Sequence, residues 1–385
     1  MKRVPFVLLV ESGPPAKHDY LRRLQARTER LVLLRNSNVT AGKNRWADEI
    51  MAAEDCLASP FLVLDRLRSD VKAWRSRQPQ GPWRCLTYQE EALPATTVVA
   101  AALGQIPPVR DASLVRDKVQ MRQVWTKAGL PQPDYEECES SENARQAAER
   151  FGDCVVKPVA MMGSCGVCRV DGAKPDEVEA AFDAAMSVNF HAEDLRDAFD
   201  IRSCVIIEEF IDCELELSIE AAVSDGKLHV LAMVKKETRD QVRFEEIGHE
   251  TPLQLDDDLE RTCLGQLKRA LEAVQVRASM VHAEFRIRAW DHTPVLVELG
   301  ARLAGDRIPF LVQRSTGVCP FDVALHLADG GPLAEIPRST AIRPAQTRRY
   351  ETEAELKSIR DHWMRQPPTA VCPDHPEAQK GFVEW

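Results

Sequence analysis

Residues 281–298 carry the clearest pattern of apolar and polar positions in the chain. Apolar and polar side chains alternate along residues 281–288, in the sequence VHAEFRIR. This period of two predicts a strand with one buried face. The sequence WDHT at residues 290–293 predicts a turn, and a second apolar run ends at Glu298. The predicted hairpin places Glu284 and Glu298 side by side on its polar face.

The first 110 residues alternate short apolar runs with helical patterns. Strands are predicted at residues 4–10, 30–34 and 83–88, and helices at residues 19–29, 61–74 and 92–103. This alternation predicts a small parallel sheet with helices on its faces. The turn after the first strand reads SGPP and lacks the glycine fingerprint of a dinucleotide site, which argues against a Rossmann domain.

The rest of the chain mixes both kinds of element after a proline-containing linker at residues 105–108. Helices are predicted at residues 116–128, 143–151, 174–186 and 256–274, and strands at residues 154–157, 204–210, 215–223 and 228–234. The sequence SDGK between the last two strands is typical of a hairpin turn. In the tail beyond residue 330, a charged helix is predicted at residues 353–363. The fold class is therefore α/β, with α+β character.

Composition and charge narrow the classes of function. The net charge of −10 argues against nucleic acid as the main partner. No apolar run approaches the roughly 20 residues that span a bilayer, and the apolar start of the chain fits a buried strand better than a signal peptide. The 11 cysteines are odd in number and scattered, so we expect reduced thiols in the cytoplasm and no structural disulfide.

Two stretches carry candidate chemistry. Lys157 ends a predicted strand, and the sequence MMGSCGV follows at residues 161–167. A lysine beside a glycine loop can hold phosphates through its charge and through backbone N–H groups, although such loops are also common as plain turns. Glu284 and Glu298 offer hard oxygen ligands for Mg²⁺, and Arg302 follows nearby. An ordinary surface hairpin would carry the same charges.

The order of these features along the chain resembles the ATP-grasp superfamily. The resemblance covers about residues 111–310, and the first 110 residues resemble the pre-ATP-grasp domain that usually precedes it. Three motifs, FEEIGH at residues 244–249, HAEF at residues 282–285 and ELGARLAGD at residues 298–306, look most like the carboxylate–amine ligases. Within that branch they resemble the L-amino acid ligases, dipeptide synthetases of the bacilysin synthetase type.

The resemblance implies a fold, a domain division and a nucleotide site. The implied ATP-grasp fold has a parallel βαβ pre-ATP-grasp domain at residues 1–110, a small lid subdomain at residues 111–205 and a large catalytic subdomain with the tail at residues 206–385. The implied ATP site comprises the phosphate-binding Lys118 and Lys157, the closing loop with Gly163, Ser164 and Gly166, the adenine-binding Glu208, Glu209, Phe210 and Ile211, and the ribose-binding Glu216.

The resemblance also implies metal and substrate sites. Glu284 and Glu298 would hold Mg²⁺, and Arg302 would hold the transferred phosphoryl group or a substrate carboxylate. The implied catalytic set is therefore Arg302, Glu298 and Lys157. Gly305, Asp306 and His249 match positions near the amino-acid pocket, and a capping or salt-bridge role is the alternative for Asp306.

The implied reaction is ATP-dependent amide formation between two amino-acid-like substrates, through an acyl phosphate, with release of ADP and phosphate. Gly300 departs from the superfamily, because many members have an asparagine there as a further metal ligand. Two alternatives stay open, a bicarbonate-using ATP-grasp carboxylase and a nucleotide-binding module without turnover. Expected partners are small molecules, not nucleic acid or membrane, and the resemblance leaves room for a homodimer.

Overall fold

The computed structural model describes most of the chain but not all of it. The described residues are 4–10, 18–37, 56–59, 63–191, 202, 204–330, 333, 343–350, 355, 370–373 and 381–384. They form three sheets, of four, eight and four strands.

The N-terminal sheet is parallel, as the alternation of strands and helices predicts. Its elements are β1 (Val4–Val10), α1 (His18–Arg27), β2 (Thr28–Asn36), β3 (Cys56–Ser59), α2 (Leu64–Arg75), β4 (Trp83–Leu86) and α3 (Leu93–Ala102). The strand order is β3-β2-β1-β4, and all three pairings are parallel. The pattern did not predict β3, because its four residues, CLAS, are too short to establish a period.

The small sheet follows, preceded by two short helices. Its elements are α4 (Ser113–Arg116), α5 (Lys118–Lys127), β5 (Tyr135–Cys138), α6 (Ser141–Phe151), β6 (Asp153–Pro158), β7 (Cys168–Asp171), α7 (Pro175–His191) and β8 (Val205–Glu209). The order is β5-β8-β6-β7, and all pairings are antiparallel. Because β8 belongs to this sheet, the sheet ends at Glu209, a few residues beyond the expected subdomain boundary at residue 205.

The large sheet supplies the main scaffold. Its elements are β9 (Cys213–Ser224), β10 (Lys227–Thr238), β11 (Glu246–Thr251), α8 (Asp257–Ala273), β12 (Ser279–Arg288), β13 (Pro294–Gly300), α9 (Ile308–Thr316), α10 (Pro320–Asp329), β14 (Ala345–Tyr350), β15 (Ala370–Pro373) and β16 (Gly381–Glu384). The order is β13-β12-β9-β10-β11-β14-β16-β15, and every pairing is antiparallel.

One face of the large sheet is buried under α8. The apolar stripe of α8 includes Cys263, Leu267 and Leu271, all buried in a core that also contains Phe285. The side chain of Asp256 caps the helix by accepting hydrogen bonds from two backbone N–H groups of its first turn, which satisfies donors that the helix itself cannot. This packing holds β12 and β13 rigidly, so their other face can carry polar groups at fixed positions.

The hairpin predicted from the alternating pattern is confirmed. β12 and β13 pair in antiparallel register, and Glu284 lies directly opposite Glu298. The alternative of a surface hairpin with solvated charges is wrong, because His282 and Arg286 on the polar face are 7% and 6% exposed. The polar face of this hairpin is therefore largely shielded from bulk solvent.

The tail contains strands that the sequence pattern did not predict. The expected charged helix at residues 353–363 lies outside the described residues apart from Glu355. The described parts of the tail contain three strands that extend the large sheet beyond β11. Within the described part of the chain, no helix is both long and apolar enough to cross a membrane.

Candidate active site

A cleft of about 740 Å³ lies between the small sheet and the large sheet. Ten of the residues proposed from sequence line it, namely Lys118, Lys157, Gly163, Ser164, Glu208, Glu209, Ile211, Glu216, Glu284 and Glu298. They come from α5, β6, the loop after β6, β8, the segment between β8 and β9, β9, β12 and β13. Residues up to 180 positions apart in sequence thus meet in one cavity.

Lys118 joins the first turn of α5 to the hairpin. The side chain of Asp117 caps this helix, which fixes Lys118 at the helix start. Its Nζ donates to the carbonyl of Met161 at 2.6 Å and lies 3.1 Å from Oε1 of Glu298. The ammonium is 8% exposed, so it faces the cleft rather than bulk solvent.

Lys157 is held by a buried ion-pair network. Its Nζ lies 2.6 Å from Oε2 of Glu208, and Nε of Arg122 donates to the other carboxylate oxygen at 2.9 Å. Burial would raise the pKa of Glu208, but the charges of Arg122 and Lys157 outweigh it and lower the pKa to about 2. Burial lowers the pKa of Lys157, and Glu208 opposes that shift. Arg122 also donates to the carbonyl oxygens of Leu296 and Val297 in β13.

The loop between β6 and β7 covers one side of the cleft. Gly163, Ser164 and Gly166 all have positive φ angles, of 62°, 55° and 74°. A Cβ atom on Gly166 would lie 2.8 Å from Cγ of Pro158, so only glycine fits there. The hydroxyl of Ser164 donates to the carbonyl of Phe244 at 3.1 Å, which ties this loop to the segment between β10 and β11.

The two carboxylates of the hairpin have the chemistry of a Mg²⁺ site. Oε1 of Glu284 accepts from Nζ of Lys236 at 2.8 Å and from Nε2 of His282 at 2.9 Å. Oε1 of Glu298 faces Lys118. Among the described residues, no hydrogen bond is made to Oε2 of either carboxylate, so two hard oxygen atoms are free for a cation of the kind Mg²⁺ represents. These residues therefore fit the metal that the superfamily implies.

His282 connects the carboxylate of Glu284 to a second carboxylate, that of Glu220. Its Nδ1 lies 2.7 Å from Oε1 of Glu220, which also accepts from the hydroxyl of Ser218 at 2.7 Å. Burial would lower the pKa of His282, but the carboxylates of Glu220 and Glu284 raise it to about 10. A protonated ring that donates from both nitrogens fixes the orientation of the Glu284 carboxylate, as partners behind a metal ligand commonly do.

Arg286 lines the opposite end of the cleft and binds several of the groups around it. Its guanidinium donates to Oε2 of Glu216 at 2.8 and 3.1 Å and to the carbonyl of Ile211 at 3.1 Å. It lies 4.7 Å from the ring centroid of Phe244, which stacks on Phe210. Phe210 therefore packs behind the cleft lining, and its neighbours Glu209 and Ile211 face the cavity.

Arg302 lies beside the cleft, in a second cavity of about 460 Å³. Its Nε donates to Oε2 of Glu90 at 2.8 Å, and Glu90 belongs to the N-terminal part of the chain. Burial would raise the pKa of Glu90, but Arg302, Lys118 and Arg116 lower it. A Cβ on Gly300 would lie 3.5 Å from Oε2 of Glu90, which is an ordinary van der Waals distance, so Gly300 lies directly against this ion pair.

A third group of polar residues stands at the edge of the cleft. One side-chain ligand atom from each of Glu246, His249 and Asp306 lies within 4.8 Å of the other two. Nε2 of His249 is 2.7 Å from Oε2 of Glu246, and its Nδ1 is 3.4 Å from the hydroxyl of Thr347 in the tail strand β14. Asp306 has a φ of 48° and an exposed side chain.

Some proposed residues are not on the cleft lining, and some lining residues were missed. Gly166, Phe210, His249, Arg302, Gly305 and Asp306 do not line the cleft. The missed lining residues with a charged or aromatic side chain are Lys236, Phe244, Glu246 and Arg286. The strand pattern could have indicated Lys236, because Lys236 lies two positions after the buried Val234 and therefore on the same face of the strand. The predicted strand, however, ended at residue 234.

Known proteins share parts of this sequence. Residues 151–309 match the family model of the ATP-grasp domain. Over 243 residues the chain is 26% identical to an alanine–anticapsin ligase of Bacillus subtilis, which covers 60% of this chain and 50% of that protein. The chain thus spans about half the length of the alanine–anticapsin ligases that it matches.

Solved structures share the fold. The L-amino acid ligase of Bacillus licheniformis matches 100% of this chain and 93% of its own, with a TM-score of 0.72 and 21% identity. A carboxyaminoimidazole ribonucleotide synthase of Aspergillus clavatus, solved with ATP, matches 99% of this chain and 93% of its own, with a TM-score of 0.71 and 14% identity. Residues 151–309 are therefore similar to the ATP-grasp domain, and the chain shares its fold with these solved structures.

Proposed function

We propose that this chain is an ATP-dependent carboxylate–amine ligase that joins two amino-acid-like substrates through an acyl phosphate. The observation that carries the proposal is the convergence of Lys118, Lys157, Glu284 and Glu298 in one cleft. Two ammonium groups suit the phosphates of a nucleotide, and two carboxylates with a free oxygen each suit a divalent cation.

In the first step, a carboxylate oxygen of one substrate attacks the γ-phosphorus of ATP, and the bond to the β-phosphate oxygen breaks. The products are an acyl phosphate and ADP. Lys118 and Lys157 hold and neutralise the phosphates, and Glu284 and Glu298 would hold Mg²⁺, which neutralises charge on the transferred group when bound. Arg302, fixed by Glu90, would orient the attacking carboxylate.

In the second step, the amine of the other substrate attacks the acyl carbon. The C–O bond to phosphate breaks, phosphate leaves, the amine nitrogen loses a proton, and an amide remains. The loop at residues 161–167 must exclude water during this step, since water would hydrolyse the acyl phosphate. The acidic pair of Glu246 and Asp306 at the edge of the cleft favours a substrate that carries an ammonium group.

The test is a panel of amino acids and amino-acid-like carboxylates, supplied in pairs with ATP and Mg²⁺ and analysed by mass spectrometry. The proposal expects an amide product together with ADP and phosphate for at least one pair. ATP cleavage that requires bicarbonate, with no amide from any pair, would favour the carboxylase alternative. Nucleotide binding without any cleavage would favour the binding module.

Asp306 provides a test of the substrate pocket. Asp306→Trp should narrow the range of accepted substrates more than it weakens ATP binding, because the aspartate leaves the pocket wide and acidic. The φ of 48° is tolerated by asparagine and aspartate better than by bulky residues. Asp306→Asn is therefore the matched control, which removes the charge and keeps the shape.

A further inference from the structure

One buried lysine touches carboxylates from three different strands of the large sheet. Nζ of Lys236 lies 2.9 Å from Oε1 of Glu246, 2.8 Å from Oε1 of Glu284 and 3.7 Å from Oε1 of Glu216. Its side chain is 1% exposed, and it lines the cleft. Among the described residues, no other cation contacts all three carboxylates.

Each of these carboxylates belongs to a different part of the candidate site. Glu284 faces Glu298 across the hairpin, and Glu216 is bound by Arg286 at the other end of the cleft. Glu246 belongs to the group with His249 and Asp306. Lys236 therefore stands where the metal, ribose and amine regions meet.

Lys236 is also the central link of a continuous chain of polar contacts across the sheet. The chain runs through Ser218, Glu220, His282, Glu284, Lys236, Glu246, His249 and Thr347, with successive distances between 2.7 and 3.4 Å. Without Lys236 the chain would break in two, and the partly buried Glu246, whose side chain is 21% exposed, would keep His249 as its only bonded partner among the described residues. A buried carboxylate that loses its cation is strongly destabilising.

We propose that Lys236 is a positioning residue. Its ammonium acts as a fixed cation beside the carboxylates of Glu216, Glu246 and Glu284. Its ammonium holds Glu284 in the orientation that leaves Oε2 free for a metal ion, and it holds Glu246 in place beside the amine region. The part of this inference that concerns the amine rests on the proposed ligase function, and the electrostatic part does not.

The first experiment is thermal unfolding of Lys236→Met in MgCl₂ and in NaCl of equal ionic strength. In NaCl the variant should unfold about 5 °C or more below the wild type, because three carboxylates lose a common cation. MgCl₂ should raise its unfolding temperature more than that of the wild type, because the metal replaces part of the lost charge. Unfolding at the wild-type temperature with the wild-type response to MgCl₂ would overturn the proposal.

Lys235→Met is the matched control. Lys235 is the preceding residue of β10 and is half-buried, and its side chain points to the other face because successive side chains of a strand alternate. This variant should unfold within about 2 °C of the wild type and respond to MgCl₂ as the wild type does. An equal response of both lysine variants would contradict a specific role for Lys236.

If Lys236→Met does not fold, Lys236→Arg provides a second variant for the same unfolding experiment. It retains a positive charge, so it should fold and show the wild-type response to MgCl₂. An arginine variant with the enlarged response to MgCl₂ would contradict the fixed-cation role.

The second readout separates positioning from general structural support. Lys236→Met should raise KM for the amine by about tenfold or more, because Glu246 loses its anchor, and Lys236→Arg should restore most of that loss. KM for ATP should change by less than about threefold, since Arg286 still holds Glu216. Equal changes in both KM values would overturn the positioning role. If the wild type forms no amide, the ligase function fails, and the unfolding experiment still decides the electrostatic claim.

Discussion

At the scale of single residues, the candidate site consists of carboxylates that face fixed cations. Glu298 faces Lys118 in the cleft, Glu208 joins Arg122 to Lys157, and Glu284 faces Lys236. In each pair the buried charge is compensated by a partner from a different element. Such pairs contribute less to stability than to placement, because desolvation offsets much of their attraction.

Substitution of Glu298 tests the metal role. Glu298→Gln should lower kcat by on the order of 100-fold or more, because it removes a charge that would hold Mg²⁺ at the transferred phosphoryl group. The fold should persist, since the side chain is 28% exposed and lines the cleft. Steady-state ADP release measures the effect, with the exposed Glu260→Gln as a control. Near-normal turnover at saturating Mg²⁺ would rule out the assignment.

The network around Glu208 predicts a pH dependence of stability. The folded-state pKa of about 2 lies below the ordinary value of 4.5, so the ionised carboxylate stabilises the fold above pH 4.5. That contribution is lost as pH falls from 4.5 towards 2. Glu208→Gln should therefore lower the free energy of unfolding at neutral pH by about 3 kcal/mol.

The measurement is urea unfolding of wild type and Glu208→Gln at several pH values between 7.5 and about 3.5. The difference in unfolding free energy between the wild type and Glu208→Gln should stay constant down to about pH 5. Below that pH it should narrow by about 1.4 kcal/mol per pH unit, because the wild-type carboxylate becomes protonated in the unfolded chain. A difference that does not depend on pH would show that packing, and not charge, explains the loss.

At the scale of elements, the loop between β6 and β7 is the part of the site that we expect to move. We predict that it opens without nucleotide and closes over the phosphates of bound ATP. Limited proteolysis should cut near Gly163 in the free protein, and a non-hydrolysable ATP analogue should protect the site. Equal cutting with and without the analogue would count against a lid.

Two glycine variants sharpen that prediction. Gly166→Ala places a Cβ 2.8 Å from Pro158 and 3.1 Å from Val188, whereas a Cβ on Gly163 meets no atom within 4 Å. Both positions have positive φ, so alanine strains the backbone at both of them. Only Gly166→Ala also displaces the neighbouring side chains. Nucleotide protection should therefore fall more in Gly166→Ala than in Gly163→Ala.

The elements also show what the sequence could predict. Long periodic stretches, such as the stripe of α8 and the alternation along β12, could be predicted because a buried face repeats many times. Short elements such as β3 and β7, each of four residues, could not, because they contain too few positions to establish a period. The tail strand β14 escaped prediction because its pairing partner β11 is distant in sequence, and β15 and β16 have only four residues each.

The residues of the candidate site likewise differ in whether the sequence could predict their partners. Residues within one motif, such as Glu284 and Glu298, could be paired from strand period and turn alone. Lys236, Glu90 and Arg122 could not, because their partners lie 48, 212 and 86 residues away in sequence in the contacts with Glu284, Arg302 and Glu208. Only the tertiary arrangement brings such charges together.

At the scale of the whole molecule, the site is assembled from all three sheets. The N-terminal part supplies Glu90 to hold Arg302, the small sheet supplies Lys157, and the large sheet supplies the carboxylates. This arrangement places a candidate carboxylate-binding arginine beside the candidate nucleotide cleft, and the acidic residues Glu246 and Asp306 at its edge. An enzyme that transfers a phosphoryl group to one substrate and an acyl group to a second requires such adjoining regions.

The most direct test of this account follows oxygen atoms through the reaction. A substrate pair that yields an amide is supplied with the carboxylate labelled with ¹⁸O, and the phosphate released is analysed by mass spectrometry. The acyl-phosphate mechanism predicts that one labelled oxygen passes from the carboxylate to the phosphate and that the nucleotide product is ADP. Unlabelled phosphate, or AMP carrying the label together with pyrophosphate, would contradict it.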